Sequence, residues 1–398
     1  MKLLRSWLQD WIDLTDIDDT DLSTALESLG FEIEDYKLIN PDYKNIIVGK
    51  VIEIYPHPNA DKVRVTKVDV GNKIYEIVCG AWNFEEGAIV PVALPNSYIK
   101  DSFKIDKRDM RWVESNGMIC SASELNLWDE HDGILILDES FKIGSDLSKT
   151  YKSTDSYWEV GVTPNRGDCL SVHGLVRDLA PFYEIDLTSN IYKKKIKKLD
   201  IGFVNHAPEA CSHISFLKID IEGEIAPYNG RFKEYFKDLG INENNFFTDV
   251  SNYISYERGQ PTHCYDAKKI GNLFSLEIIE EDKKFHTLLG KEIVIKGRNL
   301  VFLQDGKVIN LAGVMGDLNT SCSINTKSVI VECAHFDPEK IIGKSVKYDI
   351  KSDAAYKFER GVDPLCHEEV LRRFIKIVSD HANIKNIKVY KDTFLDYT

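Results

Sequence analysis

The sequence predicts an α+β multidomain protein in which a small β-barrel is set into a discontinuous α/β domain and a larger mixed α/β region follows. Three observations carry this. From about Tyr43 to Asp138 the chain is a run of short β-branched segments broken by Pro, Asn, Asp and Gly. A strand-and-helix pattern lies on each side of that run. Beyond Leu199, further strand segments lead into a long amphipathic helix.

The elements follow in order. Residues 1–38 open on a short strand and then a helix, with Leu22, Ala25, Leu26 and Leu29 at i, i+3, i+4, i+7 spacing. Asp18 or Thr20 serves as its N-cap and Gly30 as its C-cap. The segments IIVGKVIEIYP, KVRVTKVDVG, YEIVCG, AIVPVALP and GILIL then make a compact five-stranded barrel over 39–151. The strand WEVGV, the turn TPNRGD and a helix from Cys169 to Tyr183 come next, with Asp168 as cap and Val172, Leu175, Leu179 and Phe182 as the buried face. Residues 1–38 and 152–190 together form the small discontinuous domain. The lysine-rich NIYKKKIKKLD reads as a solvated linker. Residues 199–398 form the last domain, with strands SFLKIDI, FSLEII, EIVIK, NLVFL and VIVECA and a closing helix capped at Asp363 and Pro364.

Composition limits the function. The chain has 398 residues, 43% hydrophobic and 29% charged, enough for several packed cores. No run of about 18 apolar residues predicts a membrane span. Trp7, Asp10 and Trp11 interrupt what a signal peptide would need, so the expected location is cytoplasmic. The eight cysteines form no CxxC and no zinc spacing, so reduced thiols and no metal are expected. No cofactor is expected either. A formal charge of −14 argues against DNA or any non-specific nucleic-acid binding by the whole surface, and leaves only a local basic patch for such a partner.

Chemistry concentrates in DVSNYISYERGQPTHCYD, residues 249–266. Ser251, Asn252, Gln260, His263 and Asp266 stand at spacings that suit neither one helix face nor one strand face, and Gly259 and Pro261 force a turn. The stretch reads as a loop held over a cavity. Cys264 beside His263 does not suggest a thiol nucleophile, because adjacent residues rarely face each other. In the barrel, PHPNADKVRV, VCGAWN and RWVESNGMICS put Asn59, Asp61, Lys62, Arg64, Asn83, Ser115, Asn116 and Ser121 on neighbouring connections.

These barrel motifs resemble the EMAP-II-like tRNA-binding domain, an OB-type fold. The segment VGVTPNRGDCLSVHGLVRDLA (160–180) is similar to the strand–turn–helix that follows this barrel in the phenylalanyl-tRNA synthetase β subunit. The 249–266 stretch, LAGVMGD (311–317), IVECAHFDP (330–338) and KSDAAYKFERGVDP (351–364) resemble that subunit's B3/B4 editing domain.

The resemblance covers nearly the whole chain and implies a tRNA partner, specifically tRNA-Phe, and a synthetase α subunit. It implies a pocket for mischarged tyrosyl-tRNA, with His263, Glu332, Asn252 and Ser251 as catalytic residues. Gly313, Val314, Gly316, Asp317 and Ala354 would bind substrate, and the eight barrel residues would bind tRNA. Glu332, as a carboxylate, would accept a hydrogen bond from a tyrosine hydroxyl, and such a pocket can reject a ring lacking it by up to about 10⁴. His263 would orient a hydrolytic water.

Departures stand at Trp112 and Asp317, where the family has Gly, at Gly167, where it has Pro, and at Leu289, where it has Asp. The family's subunit is about twice this length, and with no P-loop and no class I or class II signature the chain is not expected to make aminoacyl-adenylate. The alternatives are a non-catalytic tRNA-binding subunit or degenerate paralogue, and the N-terminal part of an ordinary β subunit.

Overall fold

A computed structural model describes the chain except residues 40–44, 100–102, 126–132, 150–154, 272 and 394–398. The described residues form two compact units, 1–36 with 157–398, and 37–156.

Within 37–156, a five-stranded antiparallel sheet runs in the order Met118–Ile119, Ile89–Ala93, Ile46–Pro56, Arg64–Asp69, Ile74–Cys79. Its two edges nearly meet. Asn116 N–H donates to the Glu76 carbonyl at 2.9 Å, and the Ser115 hydroxyl accepts from Val78 N–H at 3.1 Å. The result is a nearly closed barrel of OB type, filled by Val48, Val51, Val68, Ile77, Val90 and Val92.

Four of its strands lie where the β-branched runs predict. The fifth does not. Among the described residues, 133–137 make a single bridge, Leu137 to Ile89, and Met118–Ile119 takes the edge. The reason is a contact from a distant part of the barrel. The Asn83 amide donates to Ile134 O at 2.9 Å and accepts from Ile134 N–H at 3.0 Å, so a side chain uses the backbone groups that a strand needs.

In the other unit, strand Lys2–Leu4 leads into an unexpected short helix, Arg5–Gln9, and then the expected helix Asp19–Ser28. Asp18 is its cap, accepting from Thr20 and Asp21 N–H at 2.8 Å each. Strand Asp155–Gly161 lies between Lys2–Leu4 and Glu32–Ile39 in a three-stranded sheet.

The helix Val172–Phe182 starts later than expected. Ser171 caps it, accepting from Gly174 N–H at 3.0 Å, whereas Asp168 sits in a preceding turn with its carboxylate on Arg166. Phe182 is exposed rather than buried, while Val172, Leu175 and Leu179 are buried. Leu3, Trp158 and Leu175 share one core with Val250, Leu371 and Phe374, so 1–36 and 157–190 pack as part of the larger body. The lysine-rich linker is pinned: Lys197–Lys198 pairs with Asn383–Thr393, and Arg372 binds the Tyr192 and Lys194 carbonyls at 3.0 Å.

Two five-stranded sheets organise the rest. The first runs Lys197–Lys198, Asn383–Thr393, Cys211–Glu222, Ser328–Phe336, Thr262–Asp266. The second runs Gly202–Asn205, Leu273–Ile279, Asn299–Gln304, Lys307–Leu311, Met315–Gly316. Strand Ser328–Phe336 is buried on both faces. Its alternation divides it: Val329, Val331 and Cys333 join the core under the helices, and Ile330, Ala334 and Phe336 join the core shared with the second sheet. Glu332 has the parity of the second set, which places a carboxyl group in the layer between the sheets.

Helices Gly230–Leu239, Phe246–Arg258 and His367–His381 cover the other face. The last begins at His367 rather than at Asp363, whose side chain instead accepts from Leu365 N–H at 2.8 Å. Its expected face (Val370, Leu371, Phe374, Ile375, Val378) is buried. It is tied to the neighbouring helix by Arg373, which binds Glu257 through two hydrogen bonds of 2.6 and 2.8 Å.

Candidate functional site

The expected loop 249–266 is a helix, a turn and a strand. Asn245 caps helix Phe246–Arg258 by accepting from Thr248 N–H, and Gly259, at φ 80°, ends it with its N–H on Ser255 O. Gln260 and Pro261 cross to strand Thr262–Asp266. The helix is buried on several sides at once, by Phe246, Phe247, Val250, Tyr253 and Ile254, so its pattern shows no single apolar stripe.

The strand fixes the site by parity. His263 stands directly opposite Glu332 in an antiparallel pair, and Tyr265 shares their face. Cys264 points the other way, its thiol on the Phe247 carbonyl at 3.3 Å.

His263 and Glu332 open on a cavity of about 390 Å³ between the sheets. Ser251, Asn252, His263, Gly313, Val314, Gly316, Glu332 and Ala354 all line it, and Leu289 stands at its wall. Asp317 does not. Its carboxylate accepts from Asn319 N–H at 3.1 Å, from Thr320 N–H at 3.0 Å and from the Thr320 hydroxyl, which holds it in the 317–320 turn. Ser251 is on the wall, but its hydroxyl donates to the Thr262 carbonyl at 2.6 Å. Asn252 is exposed.

Two groups that the motifs alone do not single out matter most: Asn310 on the cavity wall and Tyr265, fully buried beside Glu332. The Tyr265 hydroxyl donates to Glu332 Oε2 at 2.8 Å. Asn310 donates to the Tyr265 oxygen at 2.9 Å and to Glu332 Oε2 at 3.3 Å. Recognising 262–266 as a strand would have found Tyr265, two residues from His263.

Glu332 is 4% exposed, and no ion pair reaches it among the described residues. Burial therefore pushes its pKa up to about 8, against the hydrogen bonds from Tyr265 and Asn310, so it is mainly the neutral acid at pH 7. Burial thus favours the neutral acid where the sequence reading expects a carboxylate. Burial also lowers the pKa of His263, to about 4, with Asp317 opposing, so the imidazole is neutral at pH 7. Its Nε2 is buried without a hydrogen-bond partner.

Gly316 explains that packing. A Cβ there would lie 2.1 Å from His263 Cε1 and 2.6 Å from Nε2. Gly316→Ala is therefore expected to displace the ring and lower stability by about 1–3 kcal/mol. Thermal melts and the His263 imidazole NMR signals check this, and an unmoved ring would refute it.

In the barrel unit, Asn59, Asp61 and Lys62 are exposed, and Asp61 and Arg64 border a separate cavity of about 350 Å³ with His57 and Trp82. The Arg64 guanidinium lies 4.7 Å from the Trp82 ring centre and donates to Ala81 O at 2.9 Å. The other expected residues also make bonds within the barrel. Asn83 holds Ile134, Ser115 and Asn116 close the barrel, and the Ser121 hydroxyl donates to Glu124 at 2.8 Å. For a metal, Asp168, Cys169 and Asp178 converge in the larger unit, but Arg166 already occupies their centre, with Nη2 2.7 Å from the thiol and bonded to both carboxylates.

Residues 46–146 match the tRNA binding domain family, and residues 216–383 match the B3/4 domain family. The phenylalanine–tRNA ligase β subunit of Pectobacterium atrosepticum is 32% identical over 383 residues, covering 96% of this chain and 48% of that protein. The chain belongs to the phenylalanine–tRNA ligase β-subunit family. The β subunit of Idiomarina loihiensis is 33% identical, over 95% of this chain and 48% of its own length. The chain thus spans about half the length of these relatives, as expected for the N-terminal half of such a subunit. Among the described residues, no helix is long and apolar enough to cross a membrane.

Proposed function

We propose that this member of the family binds tRNA-Phe through its barrel and hydrolyses mischarged tyrosyl-tRNA(Phe) in the inter-sheet cavity. One observation carries the reading: a neutral imidazole and a neutral carboxylic acid, with opposed pKa displacements, face one cavity from paired strand positions. His263 Nε2 is covered by Gly316, which leaves Nδ1 to serve the cavity. With the proton on Nε2, Nδ1 accepts a hydrogen bond from water as the water attacks the ester carbonyl. The carbonyl–ribose oxygen bond breaks, and the proton passes to the ribose oxygen with help from the neighbouring terminal hydroxyl.

Glu332 selects the ring. Its Oε2 accepts from Tyr265 and Asn310, so its acid proton sits on Oε1 and is donated to a phenolic oxygen. A ring without that oxygen leaves the proton unpaired in a buried site.

The test is deacylation of tyrosyl-tRNA(Phe) and phenylalanyl-tRNA(Phe) by the purified chain. The expected result is faster loss of tyrosine. Rates equal to spontaneous hydrolysis for both would remove the enzyme reading. A second reading, a non-catalytic tRNA-binding subunit that works with an α subunit, is favoured by Tyr265, whose phenol already holds one Glu332 oxygen. Retained tRNA binding with no hydrolysis would establish it.

A further inference from the structure

The barrel carries a strained aromatic residue that its fold does not use. Strands Arg108–Met110 and Val113–Ser115 are joined by a two-residue loop, Arg111–Trp112. Both residues lie in the left-handed region, at φ 54° and 73°. Two-residue hairpins of this hand favour Asn and Gly at both places, because a Cβ there crowds the backbone. Trp is a poor choice on conformational grounds, and packing does not repay it: Trp112 is 88% exposed.

The surroundings hold the ring out rather than cover it. Asp109 accepts from Trp112 N–H at 2.9 Å. Behind the tip, His57 Nε2 meets Met110 O at 2.8 Å, and the Asn59 amide donates to Arg111 O at 3.1 Å. Arg111 Nη1 donates back to Asn59 O at 3.3 Å, so the loop is braced on its Arg111 side while the Trp112 ring stays bare. The tip sequence KRDMRW, residues 107–112, carries three basic residues and one acid on a chain of net charge −14, and that acid is occupied by the Trp112 amide.

We infer that Trp112 is a base-stacking finger that takes an unpaired nucleotide of the bound RNA, with Arg111 beside it meeting the phosphate backbone. This rests on the proposal that the barrel binds tRNA. A rigid aromatic ring on a basic loop is the chemistry that recognises single-stranded nucleotides, since every base offers a face to stack on. A helical RNA offers no such face.

The test uses the full chain with three probes: tRNA(Phe) transcript, a single-stranded oligoribonucleotide and a duplex RNA of equal length. Trp112→Gly is expected to weaken the first two by about tenfold. Duplex binding and the slope of affinity against salt should stay unchanged, because stacking releases no counterions. The same variant should melt about 2 °C higher, because Gly relieves the left-handed strain. Trp112→Phe should keep most of the affinity.

A lower melting temperature for Trp112→Gly would show that the ring packs locally and would overturn the inference. Equal RNA binding by wild type and Trp112→Gly would also overturn it, while leaving RNA binding by the barrel intact. No RNA binding by the wild type would defeat both. Loss confined to binding of a protein partner, with all RNA affinities unchanged, would assign the tip to that partner instead.

Discussion

His263→Ala is expected to lower deacylation of tyrosyl-tRNA(Phe) by about 10²–10⁴-fold, the range for a removed general base. tRNA affinity should stay within about twofold, because the barrel is a separate unit. The pH profile adds a sharper criterion. An ordinary histidine titrates near 6.5, and the His263-dependent rate would then fall below that pH. Burial holds this imidazole at about 4, so the rate difference between wild type and His263→Ala should persist from pH 7 to pH 5 and shrink only toward pH 4. A collapse of that difference near pH 6.5 would mean that the ring is not the buried neutral group described.

Glu332 gives the second large effect, and Gln separates two ways of reading a hydroxyl. If a carboxylate accepts from the substrate phenol, Glu332→Gln replaces a charged acceptor with a weaker neutral one, and tyrosine preference should fall by more than about tenfold. If the neutral acid donates, the Gln amide replaces it. Glu332→Gln should then keep tyrosine preference within about tenfold, while Glu332→Ala loses about 10²-fold or more.

Stability should report the same proton. The folded pKa of Glu332, about 8, lies above its ordinary value of 4.5. The native state therefore binds more protons than the unfolded chain between those values, and stability falls as pH rises through the window. Holding the group protonated at pH 7 costs roughly 3 kcal/mol. Glu332→Gln removes that cost, so its gain in melting temperature over wild type should grow from pH 5 to pH 8. A gain that stays constant across the range would show that Glu332 does not titrate there.

The sequence disclosed these residues unevenly, for physical reasons. The barrel strands were legible because each is a short β-branched run between turn residues. Gly133–Leu137 looked the same, yet Asn83 captured its backbone, and no periodicity reports such a long-range side-chain bond. Helix Phe246–Arg258 was hidden because it is buried on several sides and shows no clear stripe.

That error affected the site. A loop has no parity, so nothing linked His263 to Tyr265 or set both against Glu332. The cavity wall itself followed from the motifs that resemble the family, but the roles of its members did not. Asp317 is next to Gly316 in sequence, yet its carboxylate is turned into a tight turn by Thr320. The protonation of Glu332 depends on burial from two sheets, which no single segment encodes.

The three-stranded sheet near the N-terminus has a further consequence, for how the chain is assembled over time. Its middle strand, Asp155–Gly161, reaches the sheet only after the whole 37–156 unit has been synthesised. Strands Lys2–Leu4 and Glu32–Ile39 must wait for it, with Leu3 and Leu4 lacking their final cover. The inserted barrel, whose contacts are more local, can complete its core first. Once it has done so, its two ends are no longer those of a floppy loop, and the entropy lost in bringing Tyr157 back beside Leu4 is reduced. The barrel thus serves the rest of the chain during folding, as a compact insert that shortens the effective gap between paired strands.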